Sequence, residues 1–208
     1  MDFPGFFDDV PAITLHDQLA VFLGASKTGM MRYAYVDAVK LAGHSCPTVA
    51  GAYLMIRRGL RHLYGQDIPE RGDVEVYFRD SRDQGTTGVI AAVATLITGA
   101  ASETGFGGIG AQRRFGRRGL LHFDAPISGL MALQRRDNGR GVVLDLDTSV
   151  VPAAREMQVL FSKAATDQAN EQELARFATL WQGRVEEMLT RHADNPALIQ
   201  IAEWQAAA

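Results

Sequence analysis

Gly43-His44-Ser45-Cys46-Pro47-Thr48-Val49-Ala50-Gly51-Ala52-Tyr53 joins two helical patterns and holds the one cysteine of the chain. Upstream, residues 31–41 read as a helix, and Gly43 would end it in the left-handed conformation that glycine tolerates best. Pro47 suits the first position of the next helix, where its missing N–H leaves nothing unpaired. Val49, Tyr53, Ile56, Leu60 and Leu63 then recur at spacings of four, three, four and three, which is one apolar helix face. Arg57, Arg58, Arg61 and His62 fall elsewhere around that helix, and Gly65 stops it.

Working outward, Val74, Val76 and Phe78 alternate with Glu75, Tyr77 and Arg79, the pattern of a half-buried strand. Thr87–Thr98 has the small residues of a closely packed helix, with enough β-branching to leave a strand open, and Gly99 ends it. Residues 99–119 hold seven glycines and read as an irregular loop. Three strand-like segments follow, near 119–124, 129–136 and 141–147; Asp137-Asn138-Gly139 is a tight-turn signal between the last two. They are expected to form an antiparallel meander. Residues 1–15, with Phe3, Phe6 and Phe7, read as an extended arm, and His16–Leu23 as a short helix closed by Gly24. From Pro152 the composition shifts to Ala, Gln, Glu and Met. Leu174, Phe177, Trp181, Val185 and Met188 mark an amphipathic helix, and Asn195-Pro196 looks like the cap and first position of another. The expected division is an α+β body over residues 1–150 and a helical C-terminal extension over 151–208.

The 208 residues suffice for one domain of ordinary size, and 47% hydrophobic with 22% charged residues is the balance of a globular protein. A formal charge of −3 argues against a general nucleic-acid binder. One cysteine allows no internal disulfide and points to a cytoplasmic protein. No stretch approaches the roughly 18–20 apolar residues of a membrane span. Val89–Ala101 comes nearest and is too short. Asp2, Asp8 and Asp9, with no early Lys or Arg, carry the wrong charge for a signal peptide.

Chemistry concentrates at the turn. Cys46 falls at or beside the N-cap of the helix opened by Pro47, where the helix dipole favours a thiolate. His44, two residues earlier, can face the same point, and thiolate plus imidazole suits zinc or another late transition metal. Further ligands would come from His16, the first to consider, or from His122, Asp80, Asp83, Glu103 or a partner subunit. A thiolate followed by proline also allows an axial haem ligand. Gly105-Phe106-Gly107-Gly108-Ile109-Gly110 satisfies the dinucleotide pattern, but the glycine-rich run after it is poor helix material. The backbone at Gly105, Gly107 and Gly108, beside Arg113, Arg114, Arg117 and Arg118, suits a small anionic ligand better. Ser26-Lys27-Thr28-Gly29 contains the Lys-Thr-Gly of serine β-lactamases without their nucleophile motif.

Asp37–Tyr53, reading D-A-V-K-L-A-G-H-S-C-P-T-V-A-G-A-Y, resembles the signature of the FmdE-like family of formylmethanofuran dehydrogenase components. The resemblance extends more weakly through Thr87–Ala101 to about Asp147. It implies an α+β fold with a mixed or antiparallel sheet packed against helices, a homodimer, and a metal at the His44/Cys46 turn. Three departures stand out. Ala42 replaces a first histidine, no cysteine lies near Gln84–Thr86 or Ala100–Ala101, and the C-terminal part lacks a cysteine-rich zinc module. The expected function is metal binding, zinc first, with the glycine-rich loop covering the site. It would serve a one-carbon or carbonyl substrate or assist a redox enzyme. The rival reading is a non-enzymatic carrier or assembly module for haem or metal.

Overall fold

The computed structural model describes residues 3–206; Met1 and Asp2 of the expected N-terminal arm lie outside them, as do Ala207 and Ala208. The architecture is α+β. Helix α3 (Pro47–Tyr64) runs across a five-stranded sheet and supplies eleven buried residues, Val49 to Leu63 among them. Strands β3 (Val74–Phe78), β4 (Leu121–His122), β5 (Met131–Arg135), β6 (Gly141–Leu146) and β7 (Ile199–Trp204) stand in the order β4-β3-β5-β6-β7. The sheet is mixed: β4 runs parallel to β3, and every other pair is antiparallel. Gly51 and Gly59 let α3 lie close on it. A Cβ on Gly51 would stand 2.3 Å from a Leu146 methyl, and one on Gly59 would stand 2.7 Å from a Leu133 methyl.

Helix α2 (Tyr35–Ala42) precedes α3 and ends at Gly43 in the left-handed region, φ 74°, as the sequence implies. The Asp37 carboxylate accepts from the Ala34 N–H at 2.9 Å and fixes its start. Helix α4 (Thr87–Thr98) resolves the helix-or-strand ambiguity of its segment. Ile90, Val93, Ala94 and Ile97 are buried on one helical face, which outweighs the β-branched content. Helices α5 (Arg155–Ala165) and α6 (Glu171–Leu189) form the expected C-terminal pair. Helix α6 opens with a capping box, Asn170 with Glu173.

Four expectations are corrected. Residues 119–124 do not begin an antiparallel meander, because β4 pairs parallel with β3, Val76 opposite Leu121. Asp124, at φ 54°, then turns the chain, Ala125 bonds back to the Phe78 carbonyl, and β5 returns along the other edge of β3. Residues 196 onward form no helix. Asn195 caps a turn, and the alternation Ile199-Gln200-Ile201 then builds β7, paired with β6 from Gly141–Trp204 to Leu146–Ile199. The N-terminal arm is not simply extended. Gly5–Asp9 is a 3₁₀ turn that buries Phe7 edge-on against Tyr35, centroids 5.0 Å apart. Finally, the first residues of the helix expected at 31–41 are strand β2 (Met30–Tyr33), paired antiparallel with β1 (Ile13–His16). The Tyr53 hydroxyl, on α3, donates to the carbonyls of Pro11 and Tyr33 and holds this small hairpin on the body. Among the described residues, no helix is long and apolar enough to cross a membrane.

Candidate functional site

The Gly43–Pro47 turn is built as its residues imply. Cys46 is the N-cap of α3, with Pro47 at the first turn and the thiol sulfur accepting from the Val49 N–H at 3.4 Å. Cys46 is only 8% exposed and belongs to the main core cluster. His44 is exposed, and its Nδ1 lies 2.9 Å from the Ala42 carbonyl. Between them, Ser45 is held from both sides. Its hydroxyl bonds Tyr35 at 2.9 Å, and its carbonyl accepts from Trp181 Nε1 and Gln182 Nε2 of α6 at 3.0 and 3.1 Å. Burial pushes the Tyr35 hydroxyl far above its ordinary pKa, so it stays a neutral partner. His44 also borders a small cavity of about 240 Å³ lined by Leu41, Val89, Ala92 and Val93.

The other ligand candidates are engaged elsewhere. His16 Nδ1 lies 2.7 and 2.8 Å from the two oxygens of Glu70. His122 Nε2 stands 3.2 Å from Glu75 and its ring stacks on Tyr77. Asp80 pairs with Arg79, Asp83 accepts from Ser81, and Glu103 pairs with Arg82. The hydrogen bond from Arg82 lowers the Glu103 carboxyl to about 2. Among the described residues no three His, Cys, Asp or Glu side chains converge as a metal site requires. For zinc the chain therefore presents two suitable donors on one turn, and the residues present do not make a complete site.

The largest cleft lies elsewhere, with a volume of about 760 Å³. Gly107, Gly108, Gly110 and Gly116 line it with Arg71, Arg113, Arg114, Arg117, Arg118 and Arg136, against two acids, Glu70 and Asp73. The glycine-rich loop thus lines an arginine cleft and does not cover the Cys46 turn; Gly105 stands behind the lining. No helix follows the G-x-G-x-x-G residues. Instead Ile109 and Arg114 exchange backbone hydrogen bonds of 2.8 and 3.1 Å and close a tight loop, with Arg113 and Phe115 at φ 48° and 62°.

A buried carboxylate anchors the cleft wall. Asp17, 4% exposed, caps helix α1 (Gln18–Phe22) and accepts from Arg71 at 3.0 Å and Arg117 at 2.9 Å. Burial alone raises its pKa, but Arg117, Arg71 and the Ala20 N–H outweigh it, and the net shift is downward. Arg117 is 7% exposed; burial draws its pKa down against the pull of Asp17. Arg71 also donates to the carbonyls of Leu96 and Ile97 at the end of α4. Arg136 leans on Asp73 and Glu75 at 3.4 and 3.8 Å. Arg113, Arg114 and Arg118 have no carboxylate partner among the described residues. The sequence signalled the basic loop and its glycines. It did not signal Asp17, Glu70, Arg71 or Arg136, which reach the cleft from distant segments and carry no motif.

These features define an α+β chain with a mixed sheet, a capped Cys46 turn and an arginine cleft. No family model matches the chain, and no curated protein matches it. Among solved structures it is similar to an FmdE-like protein of tungsten formylmethanofuran dehydrogenase from Syntrophus aciditrophicus. The identity is 13%, over 84% of this chain and 74% of that one, with a TM-score of 0.45.

Proposed function

We propose that this chain binds a small anionic ligand, phosphate- or carboxylate-bearing, in the arginine cleft. The observation that carries the reading is six arginines and four loop glycines around one cleft, in a chain whose formal charge is −3. A local cationic cleft on an acidic protein draws anions to that point. Arg71 and Arg117 are spent on Asp17 and fix the wall. Arg113, Arg114 and Arg118 remain to meet the ligand.

Calorimetric titration with pyrophosphate and with malonate tests this. Binding should weaken as salt rises from 50 to about 300 mM, since the Debye length shrinks. Arg113→Ala and Arg118→Ala should each lose about tenfold in affinity, the scale of one hydrogen bond to a charged group. Absence of binding by both anions would refute the reading.

A second reading keeps the metal at the turn, and one observation favours it. The Nδ1 of His44 is engaged by the Ala42 carbonyl, which leaves Nε2 as the lone-pair nitrogen, the orientation that metal-ligating histidines adopt. Cys46 at a helix N-terminus supplies the thiolate. The chain offers two donors, so the remaining ligands would come from a second copy, which makes the assembly a homodimer. Bound zinc would supply Lewis-acid chemistry for a carbonyl substrate. Elemental analysis with an absorption spectrum checks this. Metal near one per chain, lost together in His44→Ala and Cys46→Ala, is the expected result, and a Soret band would indicate haem instead. Metal content unchanged in both variants would remove the turn from consideration.

A further inference from the structure

We propose that the anion taken by the arginine cleft is a nucleoside di- or triphosphate, its phosphates on the loop arginines and its base stacked beside Arg114 and Phe115. The proposal rests on the anion reading above and adds the chemistry of the ligand's other end.

Three observations lead there. First, a volume of about 760 Å³ is far more than one phosphate or carboxylate occupies and falls in the range of pockets that enclose whole cofactors. Second, three arginines without carboxylate partners exceed what a singly charged carboxylate can neutralise, whereas a polyphosphate matches them. Third, the lining becomes aromatic beside this charge. Phe115 lines the cleft, and Phe22, 55% exposed, lies against it with ring centroids 5.3 Å apart. The exposed Arg114 guanidinium lies over both rings, 4.8 Å from Phe115 and 6.0 Å from Phe22. A guanidinium held flat on aromatic rings is a stacking surface for a planar base, and arginine planes and phenyl rings both serve that purpose. The left-handed backbone of Arg113 and Phe115 sets these side chains in place. Such strain in non-glycine residues occurs where a loop is shaped for a ligand. This arrangement differs from a dinucleotide fold, because no helix N-terminus receives the phosphates.

The test is calorimetric titration of the full chain with ADP, pyrophosphate and adenosine. ADP should bind at least tenfold more tightly than pyrophosphate, and adenosine more weakly than either. Phe22→Ala and Phe115→Ala should bring ADP to the level of pyrophosphate while leaving pyrophosphate unchanged. Phe22 is exposed enough that its variant will fold whatever happens to Phe115. ADP and pyrophosphate binding equally well to wild type would overturn the nucleotide proposal and leave the anion reading standing. Malonate binding without pyrophosphate or ADP would do the same. No binding of any anion would overturn both. Equal losses for ADP and pyrophosphate in the two variants would also overturn the proposal, because the rings would then shape the loop without reading a base.

Discussion

Asp17→Ala is expected to cost about 3–5 kcal/mol of folding stability, the scale of breaking a buried ion pair by deleting one partner. Both carboxylate oxygens are in use. One accepts from Arg117 and from the Leu19 and Ala20 N–H groups, and the other from Arg71. Without Asp17, two neighbouring guanidinium groups face each other, one of them 7% exposed. The Arg117 Nε is already buried without a partner, so this side chain has little solvation to fall back on. Loss of the helix cap adds about 1 kcal/mol. Urea denaturation measures the effect, and Asp17→Ala combined with Arg117→Met should recover part of the loss. The pH dependence follows in sign. The folded-state pKa of Asp17 is depressed, so its stabilisation is present in full above the unfolded value of about 3.9 and disappears as pH falls through the folded one. The gap between wild type and Asp17→Asn should therefore shrink in acid. A loss below about 1 kcal/mol would place the triad with ordinary surface pairs and refute the argument.

The parts of this fold that were legible are those set by short-range rules. Gly43 and Pro47 predict a turn between two helices, and the backbone obeys them, because φ preference and a missing N–H act within one residue. The apolar face from Val49 to Leu63 is buried for the same local reason. Strand partners were less legible. Leu121-His122 is too short to announce its direction, and only the turn at Asp124 decides that β4 joins the far side of β3. Strand β7 was hidden behind the Asn195-Pro196 pair, which is as good a turn signal as a helix signal. At the Cys46 turn the sequence named the right residues but could not show the thiol turned into the core. The arginine cleft was half visible. Its loop arginines are a run, whereas Arg71 and Asp17 meet across 54 residues of chain with no spacing rule to relate them.

That loop is also where a small change should have a large and separable effect. Gly108→Ala is expected to abolish anion binding, with a loss of at least about tenfold on the scale of one charge-assisted hydrogen bond, and to leave global stability nearly unchanged. At Gly108, φ is 89° and an added Cβ would stand 2.3 Å from the Arg113 carbonyl oxygen and 2.5 Å from its carbon. Both are backbone atoms and cannot swing aside. The bonds between Ile109 and Arg114 must then open, and Arg113, Arg114 and Phe115 lose their placement. Gly107 is the internal control. A Cβ there meets only the Arg118 guanidinium, at 3.7 Å, so Gly107→Ala should bind pyrophosphate as wild type does. Stability should be spared in both, because the main core cluster contains no residue between Ala100 and Leu120. Pyrophosphate titration and urea denaturation of the two variants check the pair of claims. Wild-type affinity in Gly108→Ala would show that this loop does not hold the anion. A fall in stability matching the fall in affinity would show that the loop carries the fold as well as the site.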